Sequence, residues 1–204
     1  MGNWYTNVSL EGVNPADVLS HMNELGRVPI ITPSVADWLV VFDQECDKLD
    51  LDTLESLALT LSTRHHCTAV ACFNADDDVL WFAIYENGER TSRYASCPEE
   101  FEDRNEFPSP AEFASVLCRV FEKPERLWQA RSILRRGRGF LGLLALIRVH
   151  LAYVVEIQRH QDLATLLDMP SASVGLGYKY VSRGELAPGM DSDTLLRTSG
   201  GKFG

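Results

Sequence analysis

Residues 68–94, TAVACFNADDDVLWFAIYENGERTSRY, decide how this chain folds. Ala69-Val70-Ala71-Cys72-Phe73 is an unbroken apolar run, too short for a helix and without a polar face, as an interior strand is. Asn74 to Asp78 is a polar turn. Val79 to Tyr85 is rich in aromatic and β-branched residues and reads as a second strand. Asn87-Gly88 is a hairpin dipeptide, because both residues accept positive φ, and Arg90 to Tyr94 is a more polar third strand. The stretch is an antiparallel meander.

Upstream, Trp4, Thr6, Val8 and Leu10 alternate with Tyr5, Asn7 and Ser9, which predicts a half-buried strand. Met1-Gly2-Asn3-Trp4-Tyr5-Thr6 also fits the N-myristoylation pattern, but the strand accounts for the same residues. Asn14 caps a helix with Pro15 at its first position and Val18, Leu19, Met22 and Leu25 on one face. Val28 to Val35 is extended, and Pro29 and Pro33 assign it to an edge, since proline cannot donate to a ladder. Asp37 to Asp43 is a cleaner strand. Asp52 and Glu55 suggest a capping box for a second helix with Leu54, Leu57, Ala58 and Leu61 inward, fading at Arg64-His65-His66.

The order β-α-β-β-α-β followed by a hairpin resembles the ferredoxin-like split βαβ arrangement. An α+β domain over residues 1–97 is the result. The added hairpin would bury the fourth strand, in keeping with Ala69–Phe73. The resemblance is to a fold shared by many functions and implies no activity.

Residues 98–109 form an acidic, proline-containing linker, and 110–187 a helical region packed on the sheet. Ser109, Pro110 and Glu112 begin its first helix, which Pro124 ends. A second runs from about Glu125 to Arg136. Phe140 to Val155 is apolar almost all round. Its sixteen residues with Arg148 and His150 inside favour a buried helix over a membrane span, and that helix is expected to continue to Leu167. Val174 to Val181 alternates loosely and reads as one late strand. Residues 188–204 read as a flexible tail.

Composition is ordinary for a globular protein of 204 residues, with 45% hydrophobic and 24% charged residues. Five cysteines without a CxxC pair, and no signal-peptide pattern, suggest reduced thiols in the cytoplasm. The net charge of −10 is uneven: residues 1–110 carry 20 acidic against 6 basic residues, and residues 111–204 carry 9 against 13.

Candidate chemistry is sparse. His65-His66-Cys67 offers metal-ligand types only as neighbours, where zinc needs spaced, convergent pairs. Asp76-Asp77-Asp78 lacks the alternating calcium-loop pattern and suits a turn. Glu156 and His160 stand one helical turn apart, without an HExxH motif. With Trp38, Trp81, Tyr85 and His150 they are the residues to seek in a ligand pocket between the sheet and the C-terminal helices. Arg131, Arg135, Arg136 and Arg138 are candidates for an anion. Residues 163–178 have the apolar spacing of a helix-turn-helix, weakened by Gly175 and Gly177. No P-loop, G-x-S-x-G or dinucleotide motif is present, so neither a cofactor nor a metal is expected.

The charge layout makes the leading expectation a non-catalytic protein-binding module, inhibitor- or immunity-like, that offers an acidic surface to a basic protein partner. An enzyme or small-ligand binder using the pocket residues above is the first alternative. DNA binding through 163–178 is the second, and the overall charge disfavours it.

Overall fold

The structure is a computed structural model that describes residues 3–135, 153 and 155–198, with Arg104 described by its backbone alone. Gly2, Arg136, Arg138, His150 and nearly all of the apolar run 140–155 lie outside the described residues. Among the described residues seven strands form one antiparallel sheet: β1 Tyr5–Glu11, β2 Pro29–Ile31, β3 Trp38–Asp43, β4 Thr68–Ala75, β5 Val79–Glu86, β6 Glu89–Ala95 and β7 Leu196–Arg197. Their spatial order is β6-β5-β4-β1-β3-β2-β7. Helices α1 (Pro15–Glu24) and α2 (Leu51–His65) connect the front strands, and α3 (Pro110–Val120), α4 (Leu127–Ile133), α5 (Glu156–Leu167) and α6 (Tyr178–Ser182) follow.

The meander forms as its residues require. Ala69 pairs with Tyr85, Phe73 with Trp81 and Phe82 with Tyr94. Asn87 and Gly88 both take positive φ in the β5–β6 turn. A Cβ on Gly88 would stand 2.3 Å from the Thr63 hydroxyl and 3.2 Å from the Thr63 Cα, so any other residue would have to displace this turn of α2.

Both faces of the sheet are covered, because side chains alternate along strands that are apolar throughout. Val8, Leu10, Leu39, Val41, Ala69, Ala71, Trp81 and Ala83 pack under α1 and α2. Tyr5, Val70, Cys72, Phe82, Ile84 and Tyr94 face the other way, into α3, α4 and α5. Ile30, Val40 and Phe42 meet α6 and Leu195 in a smaller cluster on the β2–β3 side.

Several expectations are corrected. Strand β1 is buried on both faces rather than half-buried, since Asn7 Nδ2 donates to the carbonyls of Ser173 (2.8 Å) and Leu176 (3.0 Å). Asp50, not Asp52, precedes α2 as its cap, and no capping box forms there. Val155 is extended, so α5 begins at Glu156 instead of continuing an upstream helix. Residues 174–181 are not a strand: the positive φ of Gly175 breaks the run, and Tyr178–Ser182 coils into α6 with its first amides held by Asp47. The late strand lies farther on. Leu196–Arg197 pairs with Ile30 and Ile31, so this part of the tail is ordered and β2 is not an edge strand. The seven-strand order therefore differs from that of a six-strand layer ending at β2.

The β2–β3 connection is strained. Ala36 (φ 48°) and Asp37 (φ 66°) fill the two central positions of a tight turn closed by the Val35–Trp38 bridge. Such a turn favours Asn-Gly, and left-handed backbone costs an L-residue about 1–2 kcal/mol. Asp37→Gly should therefore raise the unfolding free energy by about 1 kcal/mol in urea titrations. Gly88→Ala should lower it by at least about 1–2 kcal/mol, because there the same penalty is introduced and the contact with Thr63 adds to it.

Candidate functional site

The sheet separates the residues expected to share a pocket. Trp38 lies on the α3–α5 face, stacked on Phe121 with ring centroids 4.5 Å apart. Trp81 and Tyr85 lie on the opposite face, under α2, where the Tyr85 hydroxyl donates to Glu55 at 3.1 Å. Side chains two positions apart share a face, and Trp81 and Tyr85 fall on the opposite parity to Leu80 and Phe82. His150 lies outside the described residues.

Glu156 and His160 share a helix but face different partners. Glu156 is buried and accepts from Arg159 Nε at 2.7 Å. Arg159 is itself buried. Its Nη1 donates to the backbone carbonyls of Ile133 and Arg135 at the end of α4, and its guanidinium carbon lies 4.7 Å from the Tyr153 ring centroid. This pair is a clamp between α4 and α5, and the Glu156 carboxylate is already engaged.

His160 is fully buried at the centre of a cluster that sequence reading did not assemble. Tyr5 Oη is 2.8 Å from Nδ1, Cys72 Sγ 3.6 Å from Nδ1, and Ser173 Oγ 3.4 Å from Nε2. Phe82 stands edge-on at 5.1 Å. The Ser173 hydroxyl donates to the Pro170 carbonyl at 2.7 Å, so it accepts from Nε2–H, and Nδ1 is left to accept from Tyr5. Burial pushes the imidazole down to about 3 and holds the Cys72 thiol and Tyr5 hydroxyl well above their usual values. Every member is neutral at pH 7. A histidine beside a thiol suggests a nucleophile, but that chemistry needs a thiolate, a cationic neighbour and access, and this cluster has none of them. What it does is tie α5 and residues 171–173 to β1 and β4. The hint in sequence is that Asn7 and Ser9 are polar positions on the face of β1 that Tyr5 shares, opposite Val8 and Leu10.

The remaining candidates are placed as follows. His65 packs edge-on against His21 (5.4 Å), His66 is the left-handed cap of α2, and Cys67 is buried, so the three do not converge. Among the described residues no group of three or more His, Cys, Asp or Glu could hold a metal ion. Asp76 and Asp77 anchor the chain start: Trp4 Nε1 donates to Asp76 at 3.2 Å and the Asn3 amide to Asp77 at 2.9 Å. Arg131 and Arg135 are exposed beside Trp128 along a shallow cleft of about 410 Å³, while Arg136 and Arg138 are outside the described residues. Residues 163–178 comprise the end of α5, a 3-10 turn at Ser171–Ser173 and extended chain leading into α6. A five-residue α6 gives no recognition helix for the helix-turn-helix reading. No described helix is long and apolar enough to cross a membrane.

No protein family, curated protein or solved structure matches this chain. The geometry alone carries the functional argument.

One pH dependence follows from His160. An unfolded chain takes up this proton near 6.5, whereas the native one resists it until about 3. Between those values the unfolded state binds more protons, so stability is complete above pH 6.5 and falls as pH drops. The slope from this group is about 1.4 kcal/mol per pH unit. His21 and His65, also held low chiefly by burial, act in the same direction. Urea titrations between about pH 6.5 and about 5 should show this slope, and His160→Gln should remove His160's share of it.

Proposed function

We propose that this chain acts without catalysis, as a binding module whose acidic face captures a cationic protein in the manner of an inhibitor or immunity protein. The observation that carries the reading is that α1, α2 and the segment around Phe101 and Phe107 all pack on one side of the sheet. That side leaves Asp17, Glu24, Asp52, Glu99, Glu100 and Glu102 exposed. No described lysine or arginine side chain forms an ion pair with these six.

Apart from Arg64, which is exposed in the last turn of α2, the nearby described arginines are occupied. Arg27 is held by Asp43, Arg90 by Glu55 and Glu106, and Arg93 by Asp103 and Glu106. The face therefore keeps its negative potential, which raises the encounter rate with a basic partner and repels acidic ones. The neutral, sealed His160 cluster supplies no competing reason to assign catalysis.

Two finer readings accompany this one. The inner strand order β4-β1-β3-β2, joined through α1 and α2, supports a ferredoxin-like frame extended on both sides. Five buried cysteines that form no disulfide suit a reducing, cytoplasmic setting.

The test is capture of basic proteins on the immobilised chain, with salt raised from about 50 mM to about 500 mM to shorten the screening length. Bound partner should fall about tenfold, as expected when several charge contacts are screened. A Glu99→Lys, Glu100→Lys, Glu102→Lys variant should lose it at low salt, while Arg131→Glu, on the far side, should not. A partner that stays bound at high salt, or to the triple variant, refutes electrostatic capture.

A further inference from the structure

On the side of the sheet away from α1 and α2, a cleft of about 670 Å³ opens between the strained β2–β3 turn, α5 and residues 188–194. This lies within the size range of small-molecule pockets. Its apolar lining includes Trp38, Met169 and Met190, with prolines at 33, 170 and 188. The stack of Trp38 on Phe121 holds the indole in place, and the prolines stiffen the surrounding backbone. The wall is thus formed before any ligand arrives.

The charged groups in the lining are both carboxylates. Asp191 uses one carboxylate oxygen to accept from the Asp193 amide (3.0 Å), and no described lysine or arginine pairs with it. Asp168 faces the same space and is ion-paired with Lys123 at 2.6 Å. Gln161 gives its amide nitrogen to Thr165 at 3.5 Å, which leaves its carbonyl oxygen as an acceptor. The Thr165 hydroxyl donates to the Gln161 backbone carbonyl and that of Thr194 to the Asp191 backbone carbonyl, so these two donors are engaged, while the Thr32 and Ser171 hydroxyls also line the cleft. The cleft thus presents acceptors and negative charge around an indole and two thioethers.

We propose that this cleft binds a small organic cation: an ammonium group directed to Asp191, carried on an aromatic or branched apolar body that lies along Trp38, Met169 and Met190. The site is separate from the acidic face and does not depend on the protein-binding role. An aromatic ring and carboxylates together favour cations over neutral molecules of the same shape.

Three probes of one shape test it by calorimetry on the full chain: tryptamine, 3-methylindole and indole-3-propionate. Tryptamine should bind at least about tenfold more tightly than the neutral probe, from one cation–π contact and one exposed ion pair together, and the anion should not bind. Asp191→Asn should weaken tryptamine about fivefold, the scale of one exposed ion pair, without changing the neutral probe. Thr165→Trp, which fills the cleft from an exposed helix position, should abolish binding of both while leaving the melting temperature unchanged. Equal affinity for all three probes, no tryptamine binding at millimolar concentration, or binding unaltered by Asp191→Asn and Thr165→Trp would each overturn the proposal.

Discussion

A strand with no polar face needs cover on both sides, and β4 imposes that requirement on the whole molecule. Ala69 and Ala71 on one face and Val70 and Cys72 on the other are all almost completely buried. Each face needs its own apolar layer, because exposing either would forfeit about 25 cal/mol for every Å² returned to water. α1 and α2 supply one layer from the front of the chain. The other comes from α3, α4 and α5, more than a hundred residues into the sequence. The helical half is therefore a structural requirement of the sheet.

This arrangement explains why the fold was more legible than the site. Strands β1, β3, β4, β5 and β6, and helices α1, α2 and α3, each carry their periodicity, cap or turn dipeptide within a few residues. Local chemistry decides such elements, and it is visible in sequence. Residues 174–181 misled because a loose alternation is compatible with extended chain, whereas the positive φ of Gly175 and the hold of Asp47 on α6 are set by tertiary contacts. The two residues of β7 carry no periodicity to read. Their pairing with β2 follows from where the chain already lies.

The candidate site was illegible for a related reason. Trp81 and Tyr85 looked like partners for Trp38, yet strand parity and sheet register place them on opposite faces. Glu156 and His160 were correctly set on one helix, but spacing alone cannot tell that Arg159 engages the first and Tyr5 the second. Charge was different. The excess of carboxylates in the front half could be counted from sequence, and the structure adds that Arg27, Arg90 and Arg93 are the cations already in use.

The ties from β1 to the far half bear on how the protein is made. Tyr5 meets His160 across 155 residues of chain, and Asn7 meets the Ser173 carbonyl across 166. During synthesis, the emerging front half has its own α1–α2 layer but leaves Asn7, Tyr5 and Cys72 facing water. Contacts of such long sequence separation form late, after the loop-closure entropy between them has been met. β1, made well before its partners in the far half, is thus among the last strands to be completed, and until then its bare side is where chaperones or aggregation would act first.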